Sequence, residues 1–288
     1  MKNVALNAPT ITPYTKRDRH LVHDLIFRSY RAHTHLDWQE TDQWLETDGL
    51  SVRLAWQYGK LIGVLGASVP MEGTCWMRLA AISDSADAAP VFALLWESLS
   101  AELRERGVHT VALLMLRDWL TPLITPLGFR YVEEIVTLRR ADQPLPPPTT
   151  PGEWSLRQAR PEDIPAVAQV DQAAFKAPWQ MTLAEVRQAA RVSAYCTVAV
   201  RCDQILGYQL STMYFDGAHL ARLAVDPAAQ GMGIAASLVA DLIRRFARRS
   251  VFTVTVNTQS SNTRSQQLYE RFGFRRNCYD LPVWMVRL

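Results

Sequence analysis

The sequence is poor in cysteine, carries little net charge and contains no long apolar run. Its four cysteines, Cys75, Cys196, Cys202 and Cys278, are scattered, so they show neither metal-ligand spacing nor a disulfide framework. This favours a reducing, cytoplasmic setting and a protein without a metal site. A net charge of +3 is too small to indicate a nucleic-acid partner, although it is compatible with an anionic co-substrate.

No membrane partner is expected either. No apolar run approaches the ~20 residues that span a bilayer. The stretch Met1–His20 also lacks the apolar core of a signal peptide. What remains is an ordinary globular composition, with 48% hydrophobic and 20% charged residues. The length of 288 residues predicts two domains, at about 100–200 residues each.

A proline-rich stretch, Ala141–Gly152, marks the boundary between them. Its prolines prevent helix and favour extended backbone, so we predict a semi-rigid linker. The predicted organisation is therefore a domain at 1–140, a linker at 141–152 and a domain at 153–288.

Both halves show the same order of predicted elements, which indicates an internal duplication. Each reads as a helix, a hairpin, a strand, a helix and further strands. Two short passages support this duplication. Arg106–Val111 matches Arg249–Val254, and Leu127–Phe129 matches Phe272–Phe274, in the same order.

The stretch Leu220–Leu238 combines a strand, a turn, a glycine-bearing loop and an amphipathic helix. A helix start offers free backbone N–H groups and a partial positive charge, and Gly231 and Gly233 allow the backbone to close around a phosphate. Taken alone, the pattern fits a pyrophosphate site and an ordinary tight turn equally well.

Four motifs in the second half decide between these interpretations: Leu223–Pro227, Gln230–Ala235, Asn262 and Leu268–Phe274. In combination they resemble the GNAT superfamily of acyl-CoA-dependent N-acyltransferases. The resemblance implies an α/β (α+β) fold with two tandem GNAT-like domains, each a mixed, mostly antiparallel sheet flanked by helices. It also implies acetyl-CoA as co-substrate. Within the superfamily, Ala174–Trp179 is similar to the acceptor-side segment of ribosomal-protein alanine N-acetyltransferases.

The resemblance implies a role for each matched residue. Backbone groups of Leu223 and Val225 would pair with the pantetheine arm, and N–H groups of Gly231–Ala235 would hold the pyrophosphate. Asn262 would cap its helix and contact the arm, and Tyr269 would return a proton to the thiolate leaving group. The expected acetyl-CoA-binding residues are Leu223, Ala224, Val225, Gln230, Gly231, Met232, Gly233, Ile234, Ala235, Asn262 and Tyr269.

The sequence offers several candidates for the general base. Where the alanine N-acetyltransferases carry a glutamate, this chain has Asn257, which cannot take a proton. His219, Asp216 and a water held by Asn257 are the candidates. We expect a primary amine as acceptor, on a small molecule or a peptide, and either a monomer or a homodimer.

The corresponding loop of the first half, Ser83–Pro90, has no glycine and carries two carboxylates, which oppose phosphate binding. The position of the catalytic tyrosine holds Ile124, and that of the asparagine holds Arg117. We therefore expect a non-catalytic first domain and one active site. The alternative is a non-catalytic acyl-CoA-binding or scaffold protein. A dinucleotide oxidoreductase is disfavoured because the third glycine of its loop is missing.

Overall fold

A computed structural model describes residues 8–147 and 152–288. The strands are β1 Thr10–Pro13, β2 Ala32–Thr34, β3 Ser51–Gln57, β4 Lys60–Ala67, β5 Thr74–Ile82, β6 Thr110–Leu114, β7 Arg130–Arg140, β8 Ser155–Gln158, β9 Tyr195–Arg201, β10 Gln204–Met213, β11 Ala218–Val225, β12 Val254–Gln259, β13 Arg275–Arg276 and β14 Leu281–Arg287. The α-helices are α1 Arg19–Arg28, α2 Thr41–Trp44, α3 Ala88–Glu105, α4 Thr121–Ile124, α5 Ile164–Ala174, α6 Leu183–Val192, α7 Ile234–Ala247 and α8 Thr263–Arg271.

The chain divides into two compact units. The first unit comprises Met1–Val132 and Leu281–Leu288, and the second comprises Glu133–Asp280. Among the described residues, none of the helices has the length and apolar character required to cross a membrane.

The sheet of the first unit has the strand order β1-β3-β4-β5-β6-β14. Its pairs are antiparallel except β5 with β6, which are parallel. The amphipathic helix α3 covers one face through residues such as Leu95 and Leu99, and a second core forms around Val22 and Leu25 of α1. The sheet is thus mixed, mostly antiparallel and flanked by helices, as the family resemblance implied.

The second unit repeats this plan, with the strand order β7-β12-β11-β10-β9-β8. Only β11 with β12 is parallel among these pairs. Helix α7 buries Leu238, Val239 and Leu242 against the sheet, and α5 packs on β10 and β11. The duplicated element order therefore corresponds to a duplicated fold.

The compact units differ from the predicted domain boundaries at two strands. The sequence-based division at residue 140 assigns β7 to the first half and β14 to the second. In the structure, Val254–Gln259 pairs with the part of β7 that belongs to the second unit, whereas β14 pairs with β6 of the first. The halves have exchanged their last strands. Sequence pattern identifies a strand but not the distant edge on which it hydrogen-bonds.

The predicted linker has a well-defined beginning. Residues 148–151 lie outside the described residues, and Ala141–Pro147 forms no helix or strand. The buried guanidinium of Arg140 donates to Phe272 O (2.8 Å), to Ala141 O (2.7 Å) and to Gln143 O. A buried arginine that donates to several carbonyls fixes the direction in which this segment leaves β7.

Two short strands, β1 and β2, were missed by sequence analysis. Segments of two to four residues carry too little hydrophobic periodicity to be recognised.

Candidate functional site

A β-bulge in β11 determines the geometry of the candidate site. Leu210 of β10 lies opposite Arg222, whereas its neighbour Ser211 lies opposite Leu220, so Ala221 has no counterpart. A bulge increases the local twist of a strand and bends it. Consistent with this, β11 pairs with β12 only over Ala218–Leu220.

The bulge also changes which neighbouring strand the backbone groups of alternate residues face, so that residues before and after it follow opposite patterns. Ala218 donates its N–H to Thr253 O (2.9 Å) on the β12 side, whereas Asp226 donates to Leu206 O (2.8 Å) on the β10 side. Since successive residues alternate, Ala224 shares the orientation of Asp226.

Leu223 and Val225 therefore turn their backbone groups to the edge that faces away from β10. In the described part of the chain, no strand pairs with this edge beyond Leu220. Ala224, in contrast, is buried and its backbone belongs to the β10 ladder. The edge fits an extended ligand that carries amide groups, because such a ligand can complete the ladder.

The glycine-bearing loop continues from the end of this strand. Gly231 and Gly233 have φ angles of +87° and +85°, which are accessible to glycine at little cost. The side chain of Gln230 fixes the loop, since its Nε2 donates to Val225 O (3.2 Å) and its Oε1 accepts from Arg264 Nη1 (2.7 Å). A Cβ at Gly231 would meet no atom within 4 Å. The loop thus presents open backbone next to a helix start.

Helix α7 begins at Ile234, directly after Gly233. Ser237 N donates to Gly233 O (3.1 Å), which is the first hydrogen bond within the helix. The N–H groups of the residues before Ser237 therefore have no acceptor within the helix. The neighbouring Met232 is partly exposed, and Ala235 is half-buried. Free N–H groups and the positive end of the helix dipole together suit a pyrophosphate.

A glycine substitution separates phosphate binding from backbone strain. For Gly231→Ala we expect at least a tenfold weaker affinity for acetyl-CoA, because the added methyl group would enter the open space that the resemblance implies for the pyrophosphate. Gly59→Ala is the matched control, since Gly59 has a φ of +71° in a hairpin turn and a Cβ there also meets nothing within 4 Å. Left-handed backbone costs about 1–2 kcal/mol for an alanine at either position. Calorimetry with acetyl-CoA should show a loss in the first variant only, and equal losses would contradict a phosphate role.

Tyr269 of α8 lies in the core of the second unit. The residue is 4% exposed, and its ring packs against Phe274 at 5.7 Å between centroids. Leu223 of the open edge packs against the same hydrophobic cluster. Burial raises the pKa of the Tyr269 phenol above its usual range, so this side chain carries its proton throughout the neutral range. The predicted acid and the predicted binding strand thus share one cluster.

Asn262 is the N-cap of α8, as the sequence predicted for its capping role, and its side-chain oxygen accepts from Ser265 N (3.1 Å). Of the possible proton acceptors, His219 lies on β11 with its Nδ1 2.8 Å from Thr255 Oγ1 of β12. Asn257 is exposed two residues further along β12, and Asp216 is exposed in the turn that precedes β11. His219 and Asn257 therefore occupy adjacent strands.

Sequence analysis missed a buried polar network beside this edge. Asp171 of α5 is fully buried and binds Tyr208 of β10 and Arg222 of β11. A signal was present in the sequence: Asp171 follows Val167 by four residues, which puts a carboxylate on the apolar face of its helix. Its partners lie far away in sequence and could not be assigned.

A family model described as the acetyltransferase (GNAT) family matches residues 164–274. The curated relatives include a [ribosomal protein bS18]-alanine N-acetyltransferase from Haemophilus ducreyi, 32% identical over 127 residues, which are 42% of this chain and 86% of the relative. The enzyme of the same name from Escherichia coli K12 is 29% identical over 122 residues, which are 41% of this chain and 81% of that one.

Solved structures extend the fold similarity to nearly the whole chain. A tandem GNAT protein from the clavulanic acid biosynthesis pathway matches with a TM-score of 0.66 at 15% identity, covering 97% of this chain and 98% of that one. A probable N-acyltransferase from Enterococcus faecalis matches with a TM-score of 0.72 at 12% identity, covering 97% and 72%. GNAT enzymes use acetyl-CoA as co-substrate. With its glycine loop, its tandem fold and these relatives, the chain belongs to the GNAT family of N-acetyltransferases.

Proposed function

We propose that the second unit binds acetyl-CoA along the open edge of β11 and transfers the acetyl group to a primary amine. One observation carries this proposal: the outward-facing backbone of Leu223 and Val225 leads directly into the loop at Gly231 and Gly233. An extended amide arm and a pyrophosphate are covalently joined in acetyl-CoA, in the order in which the edge and the loop follow each other.

The proposed reaction is direct attack of the amine nitrogen on the thioester carbonyl carbon. The C–N bond forms, the C–S bond breaks, and the thiolate takes the proton of Tyr269. Backbone N–H on β11 stabilises the oxyanion. A tyrosine is less acidic than a thiol in water, with reference pKa values of about 10 and 8.5. Burial disfavours thiolate and phenolate alike, so close positioning decides the transfer.

The attacking amine must also lose a proton. His219 lies on β11, and Asn257, which would hold a water, lies on β12, so both residues are on the strands next to the open edge. General-base assistance contributes about 10²–10⁴ in rate. For His219→Gln we therefore expect a loss of rate within that range if histidine is the base. An unchanged rate would leave Asp216 and a water held by Asn257 as the candidates.

The structure of the first unit favours a single active site, located in the second unit. The bulge of β5 falls at Arg78, since Gly66 lies opposite Leu79 and Ala67 opposite Met77. Aligning this bulge with the one at Ala221 puts Ala80 and Ile82 in the places of Leu223 and Val225.

In β5, however, strand β2 occupies the corresponding edge. His33 pairs with Ala80, and Ile82 N donates to Arg31 O (3.0 Å). Because β4 takes the other edge of β5, β2 lies where an extended ligand would lie in the second unit. A segment of the chain itself thus completes this ladder. Together with the acidic loop Ser83–Pro90, it opposes acyl-CoA binding in the first unit.

Hydrogen exchange tests this difference between the units. We expect the amides of Leu223 and Val225 to gain protection on addition of acetyl-CoA, because they would then be hydrogen-bonded. The amides of Ala80 and Ile82 should be protected from the start and remain unchanged. Calorimetry should give one acetyl-CoA per chain. Two bound molecules, or ligand-dependent protection in β5, would contradict a single site.

The acceptor is a primary amine, on a small molecule or on a peptide. The relatives are named as alanine N-acetyltransferases of ribosomal protein bS18, which makes a peptide that begins with alanine the first probe. Thiol release should be measured with this peptide, a lysine-containing peptide and a polyamine. Release with one of them establishes the transferase. Tight acetyl-CoA binding without release would favour a binding protein instead.

A further inference from the structure

The carboxylate of Asp171 is surrounded by four donors. Its Oδ2 accepts from Tyr208 Oη (2.5 Å) and Arg222 Nε (2.7 Å), and its Oδ1 accepts from Arg222 Nη2 (2.9 Å) and Met181 N (2.8 Å). Burial raises the pKa of Tyr208 well above its usual range, so this hydroxyl stays a donor. The carboxylate is 0% exposed and fully satisfied.

The same arginine also binds residues Phe175–Met181, which follow α5. We call them the acceptor segment because they overlap Ala174–Trp179, the stretch that resembles the acceptor side of alanine N-acetyltransferases. Arg222 Nη2 donates to Trp179 O (2.5 Å), and the guanidinium lies 3.7 Å from the centre of the Phe175 ring. With the bond from Met181 N to Asp171, the acceptor segment is held near its start, in its second half and at its end. Two side chains thus fix the position of a seven-residue loop.

Arg222 connects this loop to the binding edge because it directly precedes Leu223 on β11. A buried ion pair is a weak source of stability, since desolvation of both charges offsets their attraction, and apolar residues of similar volume often serve as well. Its distinctive property is strict geometry, because a bidentate guanidinium–carboxylate pair tolerates little displacement of either partner. The arrangement is better suited to fixing the loop against the strand than to strengthening the fold.

We propose that Arg222 and Asp171 are positioning residues for acetyl transfer. They hold the acceptor segment at a set distance from the strand that carries the acyl donor, and thereby place the amine for attack. The role rests on the function proposed above. Displacement of a bound group by about 1 Å can cost about 10²-fold in rate. Loosening the loop should therefore weaken use of the acceptor while leaving acetyl-CoA binding intact.

Arg222→Lys tests the proposal, because it keeps the positive charge and loses the planar fork. We expect KM for the acceptor to rise at least tenfold, kcat to fall, and the Kd for acetyl-CoA to stay within twofold. Tyr208→Phe removes one donor from Asp171 and keeps the ion pair. It serves as the second variant if Arg222→Lys does not fold, with a smaller effect in the same direction.

The matched control is Arg157→Lys. Arg157 forms an equally bidentate pair with Asp163, at 2.5 and 2.9 Å, outside the acceptor segment. This control should leave both constants unchanged. The assay uses whichever of the three amine probes the wild type acetylates, and hydrogen exchange follows the acceptor segment in parallel.

Each outcome discriminates. Faster exchange of the acceptor segment together with a raised acceptor KM in Arg222→Lys supports the positioning role. An unchanged acceptor KM, or an equal change in Arg157→Lys, overturns it while the transferase stands. Absence of acetyl transfer by the wild type contradicts the proposed function and the positioning role with it. In that case, the exchange data still report whether Arg222 holds the loop.

Discussion

Replacing Tyr269 by phenylalanine should lower kcat by about 10²–10⁴-fold, the usual contribution of general acid catalysis. The phenylalanine ring can keep the packing against Phe274, whose ring lies 5.7 Å away. The change therefore removes the proton donor and little else. The Kd for acetyl-CoA should stay within about twofold, as for an interaction that acts only in the transition state. Single-turnover thiol release and calorimetry with acetyl-CoA provide the two measurements.

Tyr195→Phe is the control for this experiment. Tyr195 packs on the same hydrophobic cluster of the second unit, edge-on to Phe246 at 5.2 Å, and has no proposed part in catalysis. It should keep full activity. Equal turnover in the wild type and Tyr269→Phe would rule out Tyr269 as the acid.

The pH dependence of the wild type should agree with this assignment. An acid must be protonated to act, and burial raises the pKa of Tyr269 above its reference value of about 10. Loss of activity through ionisation of Tyr269 is therefore expected only in strongly alkaline solution. An alkaline limb near neutral pH would have to arise from another group.

Deleting Leu281–Leu288 should unfold the first unit, although these residues follow the second in sequence. Strand β14 pairs with β6 from Val283 to Arg287 and inserts Val283, which is 0% exposed, and Val286 into the first unit. Burial of one such side chain contributes about 1.5–3 kcal/mol, against a total stability of about 5–15 kcal/mol. The deletion also leaves β6 as an unpaired, apolar edge, which favours aggregation.

Hydrogen exchange, followed separately for the amides of each unit, measures this unfolding. Amides of β4, β5 and β6 should lose protection in the deletion variant. Arg287→Ala is the control, because this exposed side chain can be lost without breaking the strand. If the first unit of the deletion variant kept its full protection, the result would contradict the assignment of β14 to that unit. Because β7 and β14 pair outside their own halves, the separate fragments 1–140 and 153–288 should each lack one strand of their sheet.

Much of the local structure could be read from the sequence. The periodicity of α3, α5 and α7, the hairpins and the glycine loop at Gly231 and Gly233 all follow from patterns within a few residues. Asn262 could be recognised as an N-cap because its acceptor, Ser265 N, is only three residues away. The family resemblance rested on the same short-range patterns.

The sequence by itself therefore determined the family, the duplicated element order and the residues proposed to bind acetyl-CoA. Only the tertiary structure decided which sheet receives β7 and β14, where the bulge at Ala221 turns the backbone outward, and that β2 fills the edge of β5. It also joined Asp171, Tyr208 and Arg222, which are up to 51 residues apart. The physical reason is common to all of these: hydrogen bonds between strands and between buried charges form across long sequence separations, which local propensity does not encode.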